Sequence, residues 1–386
     1  MGKQIDLGAY YFPNFHTGDA TNERYHGRGW TEWELVKSAR PRFPGHRQPK
    51  VPLWGCQDES LPSVMEQKIA AASSHGLDYF IFDWYWYDDG PILNGALERG
   101  FLNAANTNDL KFAIMWANHR WDNGHPWPYS RNVEQIYPGE ISEGNFDRAC
   151  DYVIERYFTR PNYYKIGGAP YFSFYQFSTL LKMFGSFEGV ARKLGEFREK
   201  TRRAGFPDLH LNMVLMEMPV LPGEADMKVD LGGRMSQLGF SSTSSYVWCH
   251  HVGFEQLKMP YNELLDAYLK IWDGILERFT TVPYYPNVSV GWDPSPRTMP
   301  TDSWSFDHGY PYSGVYDGNT PENFKRALVM IRDRALSQKI PAMSINAWNE
   351  WTEGAVLEPE QEYGYGYLDA IREVVDTKPP AAIKTA

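Results

Sequence analysis

Short apolar runs alternate with amphipathic stretches along nearly the whole chain. The first run, Ile5-Asp6-Leu7-Gly8-Ala9-Tyr10-Tyr11-Phe12, is stopped by Pro13-Asn14 and predicts a strand. A long polar connection follows. It carries Trp30-Thr31-Glu32-Trp33, where Thr31 is placed to cap a short helix, and then Pro41, Pro44, Pro49 and Pro52. Ordered connections of this length usually serve function. Val64, Met65, Ile69 and Ala72 recur at helical spacing behind Pro62, with Ser60 as the expected cap and His75-Gly76 as the stop. Leu77 to Trp84 is a short, aromatic-rich apolar run, as a buried strand shows. Helix, glycine and buried strand make the βαβ unit of a parallel sheet.

That unit recurs. Helices are expected over residues 93–107, 146–158, 187–204, 261–279, 321–337 and 368–375. Strands are expected over 111–116, 169–175, 209–215, 284–293 and 342–348, with a weaker sixth strand within 239–246. Eight strands alternating with helices predict an α/β fold, a closed (β/α)8 TIM barrel with long βα loops. One catalytic domain over residues 1–386 is the expectation, with a short tail at about 377–386. A doubly wound open sheet would carry a Gly-rich phosphate loop after the first strand, and no GxGxxG stands there.

Barrels of this kind place their chemistry at the C-terminal ends of the strands. Nearly every such end here carries a polar and aromatic cluster. In strand order these are Tyr10, Tyr11 and His16; Asp83 and Trp84; Trp116, Asn118 and His119; Tyr175 and Gln176; Glu217; Tyr246, His250 and His251; Trp292, Asp293 and Arg297; and Trp348, Asn349, Glu350, Trp351 and Glu353. Acids for chemistry, rings for stacking, and amides and histidines for hydroxyls are what a carbohydrate cleft needs. Aromatic residues make up 16% of the chain, many beside Asn, Asp, His and Gly, which strengthens the cleft reading over one of core packing alone.

Glycoside cleavage usually requires two carboxyl groups, one of which stays protonated near neutral pH. Glu350 and Glu353, flanked by Trp348 and Trp351, fit that demand, because burial and mutual repulsion both raise a carboxyl pKa. The competing explanation is an acid-rich helix start. Glu32, between Trp30 and Trp33, is either structural or a hydroxyl ligand, and Asp83, Asp293 and Glu217 are candidate hydroxyl acceptors. His16 and His119 are candidate donors.

The remaining features narrow the alternatives. Forty-eight acidic against 38 basic residues give a net charge of −10, and no basic run suggests nucleic acid. Cys56, Cys150 and Cys249 are too few and scattered for a disulfide framework or a zinc site. His250-His251 lack metal-ligand spacing, no cofactor motif occurs, and no GxSxG elbow supports a serine hydrolase. No membrane-length apolar segment is present. Met1-Gly2-Lys3-Gln4 leads directly into a strand, so a cytoplasmic location is expected, or a periplasmic or secreted one if a leader has been removed.

Several motifs together resemble the WbsX-like proteins, also called the glycoside hydrolase family 99-like domain. They are Tyr10-Tyr11-Phe12-Pro13-Asn14-Phe15-His16, Gly27-Arg28-Gly29-Trp30-Thr31-Glu32-Trp33 and the segment from Ala39 to Pro49. Trp116-Ala117-Asn118, the segment from Asn346 to Pro359 and Tyr363-Gly364-Tyr365-Gly366-Tyr367-Leu368 complete the set. The resemblance implies a (β/α)8 barrel that handles complex polysaccharides, more distantly similar to family 99 endo-α-mannosidases and endomannanases. It implies that Glu350 assists attack by the substrate's own 2-hydroxyl, giving a 1,2-anhydro sugar. Glu353 would then protonate the leaving oxygen and later activate water. His119 departs from the family pattern, which usually has an acid there. A glycosyltransferase or transglycosidase using the same cleft, and a non-catalytic carbohydrate-binding barrel, are the alternatives. No DxD motif at a strand end supports a sugar-nucleotide donor.

Overall fold

The computed structural model describes residues 5–126, 134–216 and 233–376. Glu217 and the tail at 377–386 lie outside these residues. Among the described residues, nine short parallel strands fill the eight positions of a barrel. They are β1 (Asp6–Tyr11), β2 (Tyr79–Tyr87), β3 (Lys111–Trp116), β4 (Ala169–Phe174), β5 (His210–Val214), β6 (Ser242–Ser244), β7 (Tyr284–Tyr285 with Asn287–Ser289) and β8 (Ala342–Asn346). The seventh position is split because Pro286 has no N–H to give a ladder. Its first half pairs with β6 and its second half with β8, so the ring closes through the proline. β1 pairs in parallel with both β2 and β8, joining the start of the sheet to its end.

Outer helices follow the expected places: α1 (Pro62–Ser74), α2 (Glu143–Val153), α3 (Phe177–Phe184), α4 (Phe187–Arg203), α5 (Tyr261–Arg278), α6 (Pro321–Ser337) and α7 (Gly366–Asp376). The helix α3 is an addition to the expected set. The helix expected over 93–107 is instead a π-helical turn, Gly95–Gly100, followed by two short 3-10 turns. Two glycines and three asparagines weaken helix formation there. Gly100 also lies so close to the Glu59 carbonyl that an added Cβ would stand 2.2 Å from it.

Two expected caps are used otherwise. Thr31 gives way to Glu32 as the cap of Trp33–Ser38, and Glu32 makes no side-chain cap bond. The Ser60 hydroxyl donates to Asp58 at 2.6 Å, leaving Leu61 to cap α1 behind Pro62. Ser60 is thus spent on a neighbouring turn residue rather than on the helix start.

Strand alternation sorts the barrel into two environments. Phe80, Phe82, Trp84 and Trp86 of β2 face the helices, in the apolar layer with Phe101, Phe112 and Trp116. At about 25 cal/mol per Å2, such rings each contribute roughly 2 kcal/mol or more. The barrel interior is instead polar. Asn212 donates to Ser173 and Ser244 at 2.8 Å, Ser242 donates to Asn212 at 2.8 Å, and Asn287 donates to Ser344 at 3.1 Å. Tyr79 stacks on Tyr164 across it, centroids 3.9 Å apart.

Candidate active site

The loop after β8 is tightly folded. Asn349–Glu350 pairs antiparallel with Ala355–Val356, and Trp351–Glu353 forms a 3-10 turn between them. Gly354 closes the turn at φ +67, packed so that an added Cβ would lie 2.7 Å from that of Asp293. Left-handed backbone in so little space suits only glycine. The loop sends its side chains to two sides. Glu350 and Glu353 meet Arg297, which donates to Glu353 at 2.8 Å and lies 3.7 Å from Glu350. Trp348, Asn349 and Trp351 are held on another set of carboxylates, those of Glu358 and Glu59.

Both catalytic candidates are buried, Glu350 to 3% and Glu353 to 6% exposure. Burial pushes Glu350 well above the usual carboxylate range, and the nearby charges of Glu353, Asp83 and Glu32 add to this against Arg297. Burial raises Glu353 too, opposed by the charge and hydrogen bond of Arg297. The pair therefore retains a proton at pH values where exposed carboxyls have lost theirs. One oxygen each of Glu350, Glu353 and Asp83 is buried with no hydrogen-bond partner among the described residues. Buried polar atoms are rarely left so, and a site awaiting ligand hydroxyls is one setting where they are.

Tyr246 links two of these acids. Its hydroxyl lies 3.0 Å from Asp83 and 2.9 Å from Glu350. A phenol carries one proton and can donate to only one of them. The other carboxyl must itself be protonated and donate to the phenol oxygen. Burial pushes both Asp83 and Glu350 well above the ordinary carboxylate range, so either can hold the proton this requires.

Glu32 joins from the first long loop. It accepts from Thr352 at 2.8 Å and from Asn14 at 2.5 Å, while Arg297 Nε donates to the Thr352 hydroxyl at 3.3 Å. Burial raises its carboxyl against Arg297 and those two bonds. It also lines an open cleft with Trp30, His26, Trp121 and His125, where Trp30 stacks on His26. Tyr10 lies beneath, its ring 4.6 Å from that of Tyr246, and His119 is half-buried between Tyr85 and Tyr175. The structure thus gathers Glu350, Glu353, Asp83, Tyr246, Glu32 and Tyr10, with Trp30 and His119 toward the rim.

Other expected ligands prove to be packing or bracing groups. Tyr11, Trp84 and Trp116 are buried in the layer between barrel and helices, where the alternation that turns Tyr10 and Asp83 inward sends their neighbours outward. Trp348 and Trp351 are fully buried and donate their indole N–H groups to Glu358. Asn349 is spent on both backbone groups of Phe12 and on Glu59. Asn118 is spent on the backbone of Tyr175 and Gln176. Trp292 is buried and stacks on Tyr310, with ring centroids 5.7 Å apart. Asp293 pins the first loop: despite burial, bonds from His46, Ser295 and Gln48 hold its carboxyl down at about 2. His16 is buried beside Thr17 and Arg99.

Sequence reasoning named Arg297 only as a rim residue, and it is the cation on which the acids converge. Its position in Pro294-Ser295-Pro296-Arg297, past the seventh strand, gave no spacing signal. His250 and His251 are pushed down to about 3 by burial, and His250 meets the Tyr310 hydroxyl at 2.8 Å. Among the described residues no three His, Cys, Asp or Glu side chains group to hold a metal ion. No described helix is long and apolar enough to cross a membrane.

Comparison with known proteins adds to this geometry. A family model described as "Glycosyltransferase WbsX" matches residues 7–371. "Uncharacterized protein WxcX" of Xanthomonas campestris pv. campestris is 27% identical over 383 residues, 97% of this chain and 50% of that protein. The chain thus spans about half the length of the curated relatives it matches. In three dimensions it is similar to the GH99 endo-alpha-mannosidase of Bacteroides thetaiotaomicron, with TM-score 0.56 and 15% identity over 96% of this chain and 97% of that one. A "Glycoside hydrolase-like protein" gives 0.60 at 12% identity over 98% and 95%. The family 1 β-glucosidase of Thermotoga maritima gives 0.50 at 12% over 97% and 98%. These likenesses show a TIM-barrel fold.

Proposed function

This chain belongs to the WbsX glycosyltransferase family, and from that premise we propose that it cleaves a glycosidic bond in a polysaccharide or oligosaccharide with retention of configuration. The observation that carries the reading is the buried Glu350–Glu353 pair on Arg297, each acid with an oxygen that has no partner among the described residues. One acid that keeps a proton beside one that can accept one is what glycoside cleavage asks for.

In the proposed route the substrate's 2-hydroxyl attacks C1 and passes its proton to Glu350. Glu353 gives its proton to the leaving oxygen as the C1–O bond breaks, leaving a 1,2-anhydro sugar. Water then opens the anhydro ring at C1, Glu353 takes the water proton, and Glu350 returns its proton to O2. Tyr246 donating to Glu350 holds that carboxylate in place, and Asp83 stays neutral behind it. Arg297 favours the charge on Glu353 in the free protein, so the route needs the shared proton on Glu353 once substrate is bound.

The family's description favours a second reading, transfer of the cleaved unit to a sugar hydroxyl in place of water. A screen of bacterial capsular and O-antigen polysaccharides and of mannans, with products followed by NMR and mass spectrometry, separates the readings. Early products that retain configuration support the proposal, and inversion rules out the anhydro-sugar route. Products longer than the substrate point to transfer. Binding with no cleavage, or full activity in both Glu350→Gln and Glu353→Gln, overturns the assignment. An aryl glycoside with a good leaving group should restore Glu353→Gln and leave Glu350→Gln inactive, because only the first acid assists departure.

A further inference from the structure

A second carboxylate cluster lies behind the catalytic loop, on the helix side. Lys68 of α1 is buried to 1% exposure between Glu59 and Glu358, themselves buried. It donates to Glu59 Oε1 at 2.6 Å, pairs with Glu358 Oε1, and lies 5.8 Å from the ring centre of Tyr11. The two carboxylates hold the catalytic loop. Glu358 accepts the Trp348 indole on one oxygen at 2.9 Å and the Trp351 indole on the other at 2.8 Å. Glu59 Oε1 accepts from the Asn349 amide at 2.9 Å, and Asn349 also bonds both backbone groups of Phe12. Of the four side chains from Trp348 to Trp351, three are thus fixed to this cluster. Glu350 alone turns the other way, to Tyr246 and Arg297.

This arrangement does more than fill space. An indole N–H has one direction to donate, so two indoles converging on the two oxygens of one carboxylate fix the loop's rotation on both sides of Glu350. Glu358 would be free to swing without its cation. Lys68 supplies that cation and ties the carboxylate to Glu59, whose backbone N–H is bonded in turn to the Phe15 carbonyl of the first loop. We propose that Lys68, through Glu59 and Glu358, is a positioning residue that sets the orientation of Glu350 and Glu353. The inference rests on the catalytic reading of those two acids.

The test uses the full chain and two readouts. Protein labelled with 13C at the glutamate carboxyls is titrated by NMR, with the Glu350 and Glu353 signals assigned from their Gln variants. Steady-state kinetics follow on whichever polysaccharide the screen shows to be cleaved. Glu358→Gln should shift the titration of the Glu350–Glu353 pair and lower kcat, with KM within about twofold. A displacement near 1 Å can cost roughly 10²-fold. Lys68→Arg, which keeps the charge, should recover part of that loss relative to Lys68→Met. If Lys68→Met does not fold, Glu358→Gln and Lys68→Arg decide the question. A folded Glu358→Gln whose pair titrates as in the wild type, with unchanged kcat, overturns the inference. Activity in Glu353→Gln on the same polysaccharide would instead remove the catalytic reading beneath it.

Discussion

Two buried carboxylate clusters lie on opposite sides of one loop, and they differ in how fully their hydrogen bonds are met. The inner one joins Glu350, Glu353, Asp83 and Glu32 around Arg297, and three of those acids keep an unpartnered oxygen among the described residues. The outer one joins Glu59 and Glu358 around Lys68, and both oxygens of Glu358 are bonded. Burial and residue types are alike. What differs is the degree of satisfaction: in the outer cluster both oxygens of Glu358 are bonded and one oxygen of Glu59 has no partner among the described residues, whereas the inner cluster leaves an oxygen unbonded on each of three acids. A buried ion cluster whose hydrogen bonds are mostly met specifies structure, whereas several unmet polar atoms in one place leave room for a ligand's hydrogen bonds.

The largest expected effect falls on the inner cluster. Glu353→Gln and Glu350→Gln should lower kcat by about 10²–10⁴-fold on a natural glycan, the usual span for losing a general acid or base. Their melting temperatures should stay level or rise, since a like charge is removed. A marked fall in Tm for either variant would make the inner acids structural and erase the contrast. Next comes Lys68→Met, expected to destabilise by about 3–5 kcal/mol because it strands two buried carboxylates. Denaturant unfolding measures this, and a loss below about 1 kcal/mol would place the cluster among dispensable pairs.

A smaller effect comes from pH. Burial holds Glu59 at about 7, above its ordinary value of 4.5, with Lys68 opposing and Glu358 adding to the rise. The folded state keeps a proton there that the unfolded chain has released, so stability falls as pH rises from about 4.5 to about 7. Asp83, Glu32, Glu350 and Glu353 are raised by burial as well and add to the slope. Melting temperature against pH should therefore be flatter in Glu59→Gln than in the wild type. An unchanged slope would assign the whole dependence to the inner cluster. Smallest is Tyr246→Phe, which removes the hydrogen bonds to Asp83 and Glu350; losing the one to Glu350, worth about 1 kcal/mol, should cost roughly fivefold in kcat. No change in kcat would show that Arg297 alone fixes Glu350.

The barrel and the loop after its eighth strand were legible because they rest on local patterns: repeated βα units, and two acids between tryptophans at a strand end. Asp83 and Tyr246 were found the same way. The rim tryptophans misled because a strand-end position says nothing of phase. Once Asp83 points inward, Trp84 must point to the helices, and the same step separates Tyr10 from Tyr11. That alternation was available in the sequence. Lys68 was not, nor was the pairing of Arg297 with the acids, since their partners are far along the chain and no spacing ties Lys68 to Glu358. Thr31 shows the converse, a local cap signal overridden when Glu32 is drawn to Asn14 and Thr352.

The pairing of β1 with β8 has a consequence for how the protein is made. During synthesis the first strand waits with one edge open until the eighth has emerged, because Asp6 to Ala9 pair with Ala342 to Ile345. The second half of β7 waits for the same partner. Unpaired strand edges invite association with other chains, and contacts between distant residues slow folding. The strand that ends this exposure also brings Glu350 and Glu353 into place. A nascent chain therefore gains its last protected edge and its buried acid pair in one step, and no partly made barrel holds that pair on Arg297.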